Sequence, residues 1–170
     1  MSQHTSRFVV GIDLGTTHCS LAYVDTHESS EDNVIVHTMA IPQLVSRGAV
    51  DALPLLPSFL YLAHESDGPQ ALPWDPTRTY AVGQHARARG AEAPNRLVSS
   101  AKSWLCHPSI DRRAAVLPIQ PADDVERVSP VEASFRYLDH LAEAWNAQIA
   151  KGDPALSLAA QEVILTVPAS

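Results

Sequence analysis

Phe8-Val9-Val10-Gly11-Ile12-Asp13-Leu14-Gly15-Thr16-Thr17 is the stretch that sets the fold class. Its first seven residues are a short apolar run, rich in β-branched side chains and followed by a glycine. That length and content predict a buried strand, not a helix. Gly15-Thr16-Thr17 turns the chain, and His18 to Asp25 reads as a second strand with Cys-Ser-Leu-Ala-Tyr-Val at its centre. Two strands this close in sequence pair antiparallel.

Moving outward, the polar segment Glu28 to Asn33 precedes a third candidate strand, Val34 to His37. The middle is punctuated by Pro54, Pro57, Pro69, Pro73 and Pro76. Ser58-Phe59-Leu60-Tyr61-Leu62 and Tyr80-Ala81-Val82-Gly83 read as strands within it. Gln84 to Gly90 predicts a short helix. Asn95 to Leu105 predicts a second, with Leu97, Val98, Ala101 and Leu105 on one face. Ser129 to Ala150 carries the clearest helical signal. Ser129 is placed to cap, Pro130 takes the first helical position and Glu132 completes a capping box. Val131, Phe135, Leu138, Ala142, Trp145 and Ile149 form the expected apolar stripe. Gly152 and Pro154 end the helix. Val163-Ile164-Leu165-Thr166-Val167 is nearly all apolar, as a central strand covered on both faces would be. Strands, a long helix and a returning strand predict a right-handed crossover within one mixed sheet, an α/β fold.

The chain has 170 residues, a formal net charge of −7, 45% hydrophobic and 18% charged residues. The apolar share is that of a folded domain. The acidic balance argues against nonspecific nucleic-acid binding, which needs a basic footprint. No apolar run approaches the ~20 residues that span a bilayer, so no membrane partner is expected. The polar segment Met1 to Arg7 lacks the apolar core of a secretory signal. Cys19 and Cys106 give neither a disulfide framework nor a four-ligand metal site. The expected setting is cytoplasmic.

Asp13-Leu14-Gly15-Thr16-Thr17 is the leading chemical candidate. A strand end places Asp13 at the rim of a sheet. Gly15 has no Cβ, so the backbone can turn sharply and a phosphate can approach closely. Successive N–H groups and the Thr16 and Thr17 hydroxyls could then surround phosphate oxygens. Asp13 would repel a bare polyphosphate, but it suits a Mg²⁺ ion held between carboxylate and phosphate through water. A plain polar hairpin turn is the competing reading. No Gly-Lys-Ser/Thr follows, so this is not a Walker loop. Lys102, in Ser-Ala-Lys-Ser-Trp, could stabilise charge on a transferring phosphoryl group, or could be a solvated surface lysine. His18, His27, His37, His64, His85, His107 and His140 are scattered and form no metal-ligand pair. Cys19 reads as a small core residue, and Trp145 as helix core.

The segment from Gly11 to Thr17 resembles the first phosphate loop of the actin-like ATPase superfamily, which includes DnaK-type heat-shock chaperones, actins and sugar kinases. Four further segments are similar to the chaperones in the same order. Leu56-Pro57-Ser58-Phe59-Leu60 resembles their proline-serine strand. Tyr80-Ala81-Val82-Gly83-Gln84-His85-Ala86 is similar to their Val-Gly-x-x-Ala segment. Arg96 to Leu105 resembles the stretch that carries their catalytic lysine. Val163 to Ala169 resembles the strand before their Pro-Ala-x-Phe turn. The resemblance implies a ribonuclease-H-like lobe from residues 1–42 and 119–170, with an α+β insertion at 43–118. It implies that Gly15, Thr16 and Thr17 touch the β- and γ-phosphates of ATP or ADP. His18 stands beside them where most members have asparagine. Asp13 would hold Mg²⁺ through water, and Lys102 would be catalytic. It further implies an N-terminal part of a divergent bacterial chaperone. The complete protein would hydrolyse ATP to drive binding and release of client peptides, with co-chaperones as partners. On that comparison the chain is truncated, about the first half of an ATPase domain, and is inactive alone. An actin-like sugar kinase and a non-enzymatic interaction module are the alternatives. Sugar kinases lack the segment with Lys102.

Overall fold

The structure, a computed structural model, describes residues 6–30 and 32–166. Strand β1 (Phe8–Leu14) and β2 (His18–Asp25) pair antiparallel, from Phe8 opposite Asp25 to Leu14 opposite Cys19, as the spacing predicts. Phe8, Val10, Ile12 and Leu14 face the core in strict alternation, while Gly11 and Asp13 are exposed. The sheet is therefore covered on one face.

Strand β3 (His37–Thr38) borders β2 through the pairs Ala22–Thr38 and Tyr23–His37. It begins later than the sequence predicts. The Ser30–Asn33 bridge and the Ser29 hydroxyl, which accepts from the Ile35 N–H at 3.1 Å, hold the approach in a turn. Val34, Ile35 and Val36 consequently stay in solvent. Strands β4 (Ile41–Ser46) and β5 (Ala49–Leu53) form a hairpin about Arg47 and Gly48, a feature the sequence reading missed. Gly48 takes φ +71°, which an L side chain resists. Strand β6 (Leu56–Pro57) returns to the first sheet beside His18 and Cys19.

A second sheet places β7 (Phe59–Leu62) between β8 (Tyr80–Val82) and β9 (Leu97–Ser99). Helix α1 (Gln84–Glu92) lies against it. Its first N–H, on Gln84, donates at 2.9 Å to the side-chain oxygen of Gln43, a fully buried residue of β4. The expected helix over Asn95 to Leu105 is corrected. Leu97–Ser99 pairs with β7, and only α2 (Ala101–Leu105) is helical. Ser100 separates the two in a left-handed conformation, φ 55° and ψ 31°.

Helix α3 (Pro130–Trp145) packs on β1 and α2. The Ser129 hydroxyl accepts from the Glu132 N–H at 3.0 Å, which is half of the expected capping box. The Glu132 carboxylate instead accepts from Arg136 at 2.6 Å. The expected stripe is buried only in part: Trp145 is sealed, and Leu138, Ala142 and Ile149 are partly buried against the core. Ala133, Tyr137, Leu141, Ala144 and Trp145 are buried, whereas Val131 and Phe135 are exposed. Phe135 lies about 200° round the helix from Ala133, so it faces away from the buried side. The helix ends in a widened turn, Asn146–Ala150, with Lys151 left-handed and Gly152 at φ +89°.

Strand β10 (Glu162–Thr166) joins β1 in parallel, Val10 beside Val163 and Asp13 beside Thr166. The sheet is mixed, as expected, in the order β10-β1-β2-β3. Yet β10 is its edge, and all five of its residues are exposed. The expectation of a strand covered on both faces fails here, because α3 packs over β1 and not over β10. Val167, Pro168 and Ala169, part of the same expectation, lie outside the described residues.

The core joins both sheets to α3. Phe8, Tyr23 and Trp145 meet edge-to-face at 5.2–5.6 Å. Trp145 is sealed, and its indole N–H donates to the Leu156 carbonyl at 2.9 Å. Trp74 donates to Glu143 of α3. Trp104 on α2 is half-buried beside the His107 ring, 5.3 Å away. Among the described residues, no helix is long and apolar enough to cross a membrane.

Candidate functional site

The loop between β1 and β2 is held by backbone contacts, not by its own side chains. A Cβ on Gly15 would stand 2.0 Å from the His18 carbonyl oxygen. Glycine is thus required by the turn itself, whatever the loop binds. Ser58, just after β6, ties the loop from below. Its hydroxyl donates to the Gly15 carbonyl at 2.8 Å, and its N–H donates to the Thr17 carbonyl at 2.9 Å. Thr16 and Thr17 are left exposed and His18 half-buried.

Asp13 stands at the exposed end of β1. The Thr166 hydroxyl, from the neighbouring position on β10, donates to its Oδ1 at 2.5 Å. This orients the carboxylate and leaves Oδ2 without a partner among the described residues. Ser58 and Thr166 are the supports that sequence reasoning did not identify. Ser58 was visible only as part of a Leu-Pro-Ser segment, and Thr166 gains its place from a parallel register that no local pattern encodes.

Lys102 is half-buried on α2 and has no ion-pair partner among the described residues. Cys19 relates it to Asp13. Burial raises the pKa of this thiol, while a hydrogen bond with the Ser58 hydroxyl opposes the rise. The Asp13 charge adds to the rise and the Lys102 charge opposes it. Cys19 itself is fully buried, the core residue its sequence context predicts.

Asp13 is suited to one kind of metal contact. Among the described residues, no three His, Cys, Asp or Glu side chains converge on a metal position. A single exposed carboxylate fits Mg²⁺, which keeps most of its waters and takes its remaining oxygens from phosphates. It does not fit Zn²⁺, which needs three or four protein ligands. Four cavities of about 250–310 Å³ lie elsewhere on the molecule. No family model and no curated protein matches this chain.

Proposed function

We propose that the loop of Gly15, Thr16 and Thr17 binds the phosphates of Mg-ATP or Mg-ADP in the manner of actin-like ATPases. The observation that carries this reading is the aligned carboxylate at the end of β1: the Thr166 hydroxyl on β10 donates to Asp13 at 2.5 Å, at the strand end that leads into the exposed Thr16 and Thr17. The parallel return of β10 beside β1, with α3 as its connection, also agrees with a ribonuclease-H-like lobe. The DnaK-type chaperones remain the family whose segments this chain resembles in order. The proposed activity of the complete protein is ATP hydrolysis coupled to binding and release of client peptides, with co-chaperones as partners.

In this reading Thr16, Thr17 and the loop N–H groups hold phosphate oxygens. Mg²⁺, when bound, neutralises charge on those oxygens. Asp13, aligned by Thr166, accepts hydrogen bonds from water on that ion. Lys102 places an ammonium where negative charge develops.

Calorimetric titration of the chain with Mg-ATP tests this. Mg²⁺-dependent binding is expected, weakened roughly tenfold, or about 1.4 kcal/mol, by Asp13→Asn. Lys102→Ala should change affinity little and lower single-turnover hydrolysis, in any form that hydrolyses ATP, by ~10²–10³. No binding by the parent chain, or equal binding by Asp13→Asn, overturns the phosphate reading.

A further inference from the structure

Beneath the turn between β1 and β2 lies a short chain of buried polar groups. Ser58, 2% exposed, donates its hydroxyl proton to the Gly15 carbonyl at 2.8 Å. A serine hydroxyl has only one proton to give. With that proton on Gly15, the Cys19 thiol, 3.4 Å from the same oxygen, is the donor of their contact and Ser58 Oγ the acceptor. Burial raises the thiol pKa, and the Gly15 N–H, which faces the sulfur, opposes that rise. Both polar groups of the Gly15 backbone are therefore turned inward, onto side chains that are themselves buried.

This arrangement decides where the next donor points. In a planar trans peptide, a carbonyl and the following N–H point in opposite directions. The Gly15 carbonyl is directed onto Ser58, so the Thr16 N–H is directed away from it, at an exposed position. Among the described residues that N–H meets no acceptor. It is thus free to donate to an anionic oxygen, the kind of acceptor that makes the stronger hydrogen bonds. Ser58 also donates its own N–H to the Thr17 carbonyl at 2.9 Å, a bond that any residue other than proline could make. Its hydroxyl is the part that is specific. Gly15 has no Cβ and resists rotation of its peptide less than other residues do. Without the hydroxyl, the Gly15 carbonyl would turn toward water and carry the Thr16 N–H inward.

We propose that Ser58 is a positioning residue for the phosphate loop: its hydroxyl holds the Gly15 carbonyl inward and so presents the Thr16 N–H to a phosphate oxygen. This role rests on the phosphate reading of the loop and adds to it a requirement from a residue more than forty positions away.

Mg-ADP, which is not consumed, is the probe. Calorimetry should find it bound about tenfold more weakly by Ser58→Ala than by the parent, the size of one hydrogen bond to a charged group. Alanine keeps the backbone bond to Thr17 but also costs stability, so Leu44→Ala serves as the comparison. Leu44 is 3% exposed, in the smaller apolar cluster, which holds no residue of the loop. Leu44→Ala should lose stability in urea and keep the parental affinity. In the parent, the Thr16 amide proton resonance should move downfield on saturation with Mg-ADP, a measurement that needs no variant. No binding by the parent overturns the phosphate reading and the role of Ser58 together. Binding by the parent with an unmoved Thr16 amide, or parental affinity in folded Ser58→Ala, overturns the role of Ser58 alone. An equal loss of affinity in Leu44→Ala would show that affinity only follows stability, and it overturns that role as well.

Discussion

Gly15 shows how one residue can carry two explanations that predict different outcomes. A phosphate loop needs glycine so that the ligand can approach, and this turn needs glycine because the His18 carbonyl occupies the space of a Cβ. The second requirement acts without any ligand. Gly15→Ala should therefore destabilise the chain by about 1–3 kcal/mol, the usual cost of forcing atoms into filled space. Urea denaturation without nucleotide measures it. A variant as stable as the parent would show that the loop relaxes, and only then would its nucleotide affinity report on phosphate contact. The sequence made Asp13, Gly15, Thr16 and Thr17 legible as a group because they are contiguous. It could not reveal why glycine is obligatory, since the conflicting atom belongs to the backbone three residues on. Local sequence could not choose between a phosphoryl-stabilising and a solvated Lys102, because its place relative to the loop depends on separate elements folding together.

At the scale of elements, helix α3 separates pattern from packing. Its apolar residues include Val131 and Phe135, so periodicity alone selects a stripe through them. The buried face is centred on Ala133, Tyr137, Leu141 and Ala144 and shares Trp145 with that stripe, with Leu138 and Ala142 at its margin. Phe135→Ser should then change stability by no more than about 0.5 kcal/mol, as at ordinary surface positions. Tyr137→Ala should cost about 3–5 kcal/mol, as for other large core aromatics. Chemical denaturation of the two variants decides between the faces, and the expected stripe predicts the reverse order. Leu97 to Ser99 failed as a helix for a related reason. Leu97, Val98, Ala101 and Leu105 satisfy a helical spacing, but β7 offers Leu97–Ser99 a full set of strand partners and Ser100 breaks the helix. Long-range pairing overrode local periodicity. The β1–β2 hairpin was legible because its two strands and turn lie within eighteen residues.

Across the whole molecule, a polar seam joins the middle of the chain to α3. Arg78, with only 3% of its side chain exposed, donates to Asp75 at 2.9 Å and to both Glu143 oxygens at 2.6–2.7 Å. Glu143 also accepts from Trp74 at 3.1 Å. Asp75 still pairs with Arg78 when Glu143 is neutralised, so Glu143→Gln should cost about 1–3 kcal/mol, as for loss of hydrogen bonds to a charged group. Arg78→Met with Glu143→Leu should recover part of that loss, and denaturation of the single and double variants measures the coupling. His140 lies beside the seam, its Nε2–H donating to the Pro42 carbonyl at 2.9 Å and its ring meeting Trp74 edge-to-face. Burial pushes its pKa from 6.5 down to about 4. Above pH 6.5 both folded and unfolded states hold it neutral, and its contribution is complete. As pH falls from 6.5 toward 4, the unfolded state gains a proton that the folded state refuses, and stability falls by up to about 3 kcal/mol. His85, whose pKa is also lowered, acts with the same sign. Denaturation midpoints from pH 7 to pH 4 should fall less steeply for His140→Gln than for the parent. Equal slopes would remove His140 from the account.

The three indoles give the chain an optical record of its own parts. Trp145 is sealed in the aromatic core, Trp74 is bonded into the seam, and half-buried Trp104 stands two residues beyond Lys102. Their emission should therefore separate by wavelength, bluest from Trp145 and reddest from Trp104. Excitation at the red edge of the absorption band selects Trp104, whose neighbour His107 quenches it when protonated. A change confined to that red component would report an event at the Lys102 helix, while an unaltered blue component would certify that the core had not moved.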